Sequence, residues 1–227
     1  MSSVLIEEQL EVPGDIRSLA DFRGWALSDS FPEQGRIDYI SGRIEIAISP
    51  PGLFTHSAPK TELIGRLGQV VKEDDLGLLV CEPARFSSVP ADLSATPDLM
   101  LLSDDAIDSG RIRFIYPPGG THDPIEAEGG PDLVVEVVAD NTAGKDTERL
   151  PAAYFAARVT EFWLIDARGE QLAFQIHRRG EAEFKPVMAD KCGFQRSHVF
   201  SRLFKFDRER DRRGHWDYDL HVAKAKM

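Results

Sequence analysis

Pro131-Asp132-Leu133-Val134-Val135-Glu136-Val137-Val138 sets a carboxylate, Glu136, in the middle of an aliphatic run. A nearly continuous β-branched stretch of this length suits a central strand buried on both faces. An unpaired carboxylate there meets a heavy desolvation cost, so something must hold it. Upstream, Thr96-Pro97-Asp98-Leu99-Met100-Leu101-Leu102 places Asp98 at the head of a second apolar run. Two carboxylates on neighbouring strands can converge on a hard divalent cation, Mg2+ or Mn2+, and leave room for water and a phosphate oxygen. The competing reading is structural: Glu136 paired with an arginine of the next helix, or sitting at a strand end.

Working outward, Asp140 to Gly144 reads as a turn, followed by a helix from Thr147 to Arg158 with Pro151 in its first turn. Phe162–Ile165 and Leu172–Ile176 read as strands around the turn Asp166-Ala167-Arg168-Gly169. Towards the N-terminus, Leu78–Phe86 reads as a strand, and Leu63, Ile64, Leu67, Val70 and Val71 recur at helical spacing between Thr55 and Lys72. Arg36–Ile40 and Arg43–Ile48 alternate around Ser41-Gly42, as a hairpin with one buried face does. Ser18 caps a short helix carrying Leu19, Phe22, Trp25 and Ala26. Residues 103–130, rich in Asp and Gly and holding Pro117-Pro118-Gly119-Gly120, are too long for an ordinary loop and read as an insertion able to act as a lid, with local structure around Arg111–Tyr116. The fold class is α/β (α+β): a mixed central β-sheet flanked by helices. Residues 1–190 form the main domain, with the insertion at about 103–130. Residues 191–227 form a basic extension packed on or flanking it.

The bulk numbers narrow the function. The net charge of −11 over 227 residues argues against a general nucleic-acid coat. The charge is uneven, however: residues 191–227 carry a surplus of five positive charges and the rest a deficit of sixteen. A basic flank on an acidic body suits an enzyme that gathers metal ions and touches phosphate nearby. Alternatively, the Arg208-Glu209-Arg210-Asp211-Arg212-Arg213 run is a solvated arm that pairs with itself. Cys81 and Cys192 are expected to be reduced thiols of a cytoplasmic protein. The first eight residues lack a basic, apolar leader, and no apolar run nears the roughly 20 residues that span a bilayer, so no membrane partner is expected. Phosphate-cradling P-loops, nucleophile elbows and zinc spacings are absent from the sequence.

Thr96–Met100, Pro131–Val138, Asp146, Tyr154 and Glu161-Phe162-Trp163-Leu164-Ile165-Asp166, with Arg36–Ile44 and His56 before them, resemble the Uma-type family of restriction endonucleases. That family is assigned to the PD-(D/E)XK nuclease superfamily, and the likeness covers roughly residues 15–190. It implies a restriction-endonuclease-like fold and hydrolysis of DNA phosphodiesters. It implies Mg2+ or Mn2+ held by Asp98, Glu136 and the backbone carbonyl of Val137, and a homodimer, since cutting two strands favours paired sites. It also implies a lysine beside the attacking water. The strand position for that lysine is Val138, and the helix position, four residues before Tyr154, is Leu150. Lys145 and Arg149 are the catalytic alternatives, although an offset of one residue turns a helical side chain by about 100°. Asp38, where the family commonly has Glu, together with His56, Asp132 and Asp146, are secondary site residues, and His122 is a loop ligand at most. The alternative is a catalytically degenerate relative that binds nucleic acid or a protein.

Overall fold

The computed structural model describes residues 11–32, 35–49, 51–117, 119–120 and 123–225; His122, Lys226 and the first eight residues lie outside them. Helix α1 (Leu19–Ala26) is capped by Ser18, whose hydroxyl accepts the Asp21 amide at 3.2 Å, and it buries Leu19, Phe22 and Trp25. The hairpin follows as β1 (Arg36–Ile40) and β2 (Arg43–Ala47). Ser41 and Gly42 both take positive φ, +48° and +80°, as a two-residue type I′ turn demands.

One π-helical turn, Leu53–Ser57, leads into α2 (Ala58–Glu73), which buries Leu63, Leu67, Val70 and Val71. The single strand expected over Leu78–Phe86 is two strands in different sheets, β3 (Gly77–Cys81) and β4 (Arg85–Ser88). Pro83 stands between them and has no N–H to continue a ladder. Next come β5 (Leu93–Ala95), β6 (Leu99–Ser103), α3 (Asp104–Asp108), β7 (Arg113–Ile115), β8 (Glu126–Glu128) and β9 (Leu133–Val137). The stretch read as a possible lid therefore contributes sheet: β8 pairs parallel with β4, and β7 pairs antiparallel with β8.

A second π turn, Lys145–Arg149, precedes α4 (Leu150–Ala156), so the helix begins two residues before the Thr147 start and ends short of Arg158. The chain finishes with β10 (Glu161–Asp166), β11 (Ala173–Arg179), β12 (Phe184–Pro186), β13 (Gln195–Ser197), β14 (Arg202–Arg210) and β15 (Trp216–Lys224).

Two six-stranded sheets result, in the orders β2-β1-β5-β4-β8-β7 and β12-β11-β10-β9-β6-β3, with β13-β14-β15 as a third. The second is the expected mixed sheet, with β9 and β10 parallel. Its central strands are buried on both faces, as their unbroken aliphatic runs require. Leu99, Leu101, Leu133 and Val135 face a core shared with α2 and Trp163, while Met100, Leu102 and Val134 face one shared with Phe86, Leu150 and Tyr154. Among the described residues no helix is long and apolar enough to cross a membrane. Cys81 and Cys192 are unpaired.

The C-terminal sheet is no solvated arm. Phe204, Phe206 and Leu220 belong to the same core as Trp163, whose ring centroid lies 4.8 Å from that of Phe204. Nor, among the described residues, does any ion pair join side chains within the arginine-rich run. Arg208 and Arg210 lie over the Trp216 ring at 4.0 and 3.5 Å, Arg210 reaches Glu170 at 3.6 Å, and the Asp211 carboxylate accepts the Arg213 and His215 amides, each at 2.8 Å. Asp207 stands opposite Asp219 and Glu209 opposite Asp217, so one face of the ribbon is acidic rather than basic. Because Phe204 is fully buried, Phe204→Ala should cost about 3–5 kcal/mol in urea unfolding. A loss below about 1 kcal/mol would show that the terminal sheet is not part of the common core.

Candidate active site

The register of β6 and β9 builds the site. Leu99 stands opposite Val135 and Met100 opposite Val134. Asp98, immediately before β6, would meet Glu136 if that register ran one step further. Asp98 is fixed there because its Oδ2 accepts the Val137 amide at 2.7 Å. Both acids are fully buried.

Strand β1 of the other sheet brings Arg36 and Asp38 to this cluster from alternate positions. Arg36 Nη2 donates to both oxygens of Glu136, at 2.8 and 3.0 Å, and its Nε donates to Asp38 Oδ2 at 3.2 Å. Asp38 also accepts from Lys145 Nζ at 2.6 Å and from the Thr96 amide at 2.8 Å. The Tyr154 hydroxyl donates to Glu136 Oε1. Asp146 accepts the Thr142 hydroxyl at 2.5 Å, and its other oxygen has no partner. Asp98 Oδ1 lies 3.0 Å from Lys60 Nζ and 3.4 Å from His56 Nε2, yet makes no well-formed hydrogen bond. The two π turns deliver part of this set: His56 sits on one, Lys145 and Asp146 on the other. Such local widenings of a helix recur at functional sites.

The environment drives the two acids apart. Burial opposes ionisation of Asp98, but His56, Arg36 and Lys60 outweigh it and hold its carboxyl well below the usual carboxylate range. Burial pushes Glu136 up, to about 8, with Asp146 and Asp98 adding to the effect against the pull of Arg36. Burial likewise raises Asp146. Asp38 is lowered, because Arg36 and Lys145 overcome its burial. Lys60 is raised, since Asp98 and Glu82 outweigh the desolvation that disfavours its charge. Carboxyls pushed in opposite directions at one place are a common arrangement for acid and base roles.

Of the residues singled out from sequence, Asp38, His56, Asp98, Glu136, Lys145 and Asp146 come together. Arg149 does not: it pairs with Glu45 at 2.6 and 2.8 Å on the surface, its side chain 44% exposed. Asp132 is held towards the opposite end of β9 by the Ser103 amide at 3.1 Å and Arg111 at 2.5 Å. At Val137, the contact with the site is the amide. Val138 and Leu150 are fully buried, Leu150 in the core around Phe86 and Tyr154. Sequence reading missed Arg36, Lys60 and the Tyr154 hydroxyl as site groups. Lys60 carried a signal, standing four residues after His56, a spacing that puts helical side chains on one face. A cleft lined by Glu45, Ala47, Asn141, Thr142, Lys145 and Arg149 adjoins the cluster, with Lys145 common to both.

A family model described as "Uma2: Putative restriction endonuclease" matches residues 19–201. The chain belongs to the Uma2 family. Among solved structures, a protein from Anabaena variabilis ATCC 29413, titled a putative nuclease belonging to DUF820, aligns with a TM-score of 0.59 at 19% identity, covering 81% of this chain and 90% of that one. At that identity the likeness shows a shared nuclease-type fold. No curated protein matches the chain. The Uma2 match spans every site residue named above and stops before β14 and β15. In this Uma2-family chain, Tyr154→Phe removes a buried donor to Glu136 and should cost about 1–3 kcal/mol in chemical denaturation. Arg149→Ala removes only an exposed ion pair and should cost less than about 1 kcal/mol. The reverse order would contradict the placement of these two residues.

Proposed function

We propose that this chain is a divalent-metal-dependent endonuclease that hydrolyses DNA phosphodiester bonds, with Asp98 and Glu136 as its metal carboxylates. The observation carrying this is the burial of both acids at adjoining ends of β6 and β9, with Asp98 Oδ1 met by Lys60 at 3.0 Å and His56 at 3.4 Å but by no well-formed hydrogen bond. Hard carboxylate oxygens suit Mg2+ or Mn2+. No three His, Cys, Asp or Glu side chains converge closely enough to hold a metal among the described residues. An ion here would therefore be held by the two acids, with the Val137 carbonyl as a further candidate donor, in keeping with the small number of protein ligands Mg2+ usually takes.

A bound divalent ion supplies a water of lowered pKa and positive charge for the developing phosphorane. The chain's own residues do the rest. The Val137 amide fixes the direction of Asp98, and Lys145 and Arg36 hold Asp38 ionised. Lys60, partly open to solvent, shared with Glu82 and 3.0 Å from Asp98 Oδ1, would offer a phosphate oxygen the cation that neither Val138 nor Leu150 provides. DNA as substrate, a homodimer that cuts both strands, and a cytoplasmic location are part of the same proposal.

A second reading is favoured by one observation: Arg36 already bonds both oxygens of Glu136. By that reading the chain is a degenerate relative that binds nucleic acid or a protein without cutting. Supercoiled plasmid incubated with Mg2+ or Mn2+ separates the two. The nuclease reading expects nicking that falls by about 10²-fold or more in Asp98→Asn and Glu136→Gln. Equal nicking by wild type and variants would assign the activity to a contaminant. No nicking by a folded wild type would favour the degenerate relative.

A further inference from the structure

We infer that Arg36 is a resident counter-ion that competes with a divalent cation for Glu136, and so sets how tightly the site takes metal. This rests on the metal-carboxylate reading of Asp98 and Glu136. The Arg36 side chain is only 8% exposed, and its side-chain hydrogen bonds go to acids of the cluster, Glu136 through Nη2 and Asp38 through Nε. A guanidinium does not give up its proton at any ordinary pH. Unlike a buried lysine, it cannot make way for a metal ion by becoming neutral. Its backbone is also fixed, because Arg36 pairs with Ala47 of β2 in a strand whose far end pairs with β5. A metal ion that takes a Glu136 oxygen must therefore draw the carboxylate away from Nη2, or sit beside a full positive charge where screening by water is weak.

The same charge keeps the cluster together without an ion. Three buried acids, Asp38, Asp98 and Glu136, contact Arg36, Lys145, Lys60 and His56, with the buried Asp146 held beside Lys145 by Thr142. Removing the guanidinium leaves Glu136 with the Tyr154 hydroxyl as its remaining side-chain donor. Buried acids stripped of their cation destabilise a fold strongly. They also attract another cation, and a ligand that binds only the folded state raises its stability. One substitution should thus weaken the ion-free protein and strengthen its hold on metal.

The experiment uses the full chain, stripped with chelator and titrated with Mn2+ by calorimetry, with melting curves recorded with and without saturating Mn2+. Arg36→Met is expected to bind Mn2+ about tenfold or more tightly than wild type. It is also expected to melt lower without the ion and to gain more from Mn2+ than wild type gains. Arg36→Lys keeps a positive charge and should stay nearer to wild type. If Arg36→Met folds only once Mn2+ is added, the inference is supported; if Mn2+ does not restore folding, it fails. Equal or weaker binding by Arg36→Met overturns it, as does the absence of Mn2+ binding in both proteins. Adding Asp98→Asn to each background separates the two levels. If wild type and Arg36→Met bind equally and both lose the ion with Asp98→Asn, the metal site stands and the role of Arg36 falls. If tight binding survives Asp98→Asn together with Glu136→Gln, the ion sits elsewhere and the underlying reading falls with it.

Discussion

The guanidinium of Arg36 joins Glu136 in one six-stranded sheet to Asp38 in the other, and the arrangement of the site depends on that link. None of these side chains is tolerable alone at such depth, because each charged group gives up its hydration on burial. Together they form a closed exchange. Lys145 shares Asp38 with Arg36, Tyr154 shares Glu136 with it, and Lys60 and His56 approach Asp98 Oδ1. Buried ion networks of this kind are often no more stable than apolar packing of the same volume. A fold that keeps one at the meeting of two sheets, beside a cleft, fits a protein that gives up some stability for function.

Much of the frame was legible. A carboxylate inside Val134-Val135-Glu136-Val137 announces itself because the surroundings are hostile to it, and Asp98 does so at the head of Leu99–Leu102. The hairpin was readable from Ser41-Gly42, which supplies two residues that accept positive φ. What alternation did not reveal is where the polar face of β1 points. All five of its residues are buried, with Ile37 and Tyr39 packed against α1 and Arg36 and Asp38 turned towards the acids of the other sheet. A two-residue period distinguishes two faces, yet cannot say whether the polar one meets water or a charged interior. The π turns were equally silent in the sequence, and they decide which side chains of 145–149 face inward: Lys145 and Asp146 are buried while Arg149 reaches Glu45 outside.

In the C-terminal segment charge spoke louder than periodicity. Ten basic residues between 191 and 227 read as an extension packed on or flanking the domain, or as a solvated arm. Phe204, Phe206, Tyr218 and Leu220, at alternate positions of two long strands, were the better signal, and they complete the core around Trp163. The family match ends at residue 201, so the chain's core extends past the matched segment. The lysine question has a similar character. Val138 and Leu150 are apolar because both are interior packing positions, while the cations near the acids arrive on other elements, Lys60 on α2 and Lys145 on the second π turn. A motif counted along one strand or one helix cannot see a charge delivered from elsewhere.

The claim at the centre is that Asp98 and Glu136 can hold one cation between them. A crystal grown in Mn2+, with diffraction recorded at the manganese edge, asks this directly. The account predicts an anomalous peak between the two carboxylates, at about 2.0–2.3 Å from an oxygen of each, with the Arg36 fork drawn back from Glu136. A well-ordered site with no peak at saturating Mn2+, or a peak that touches neither acid, would contradict it.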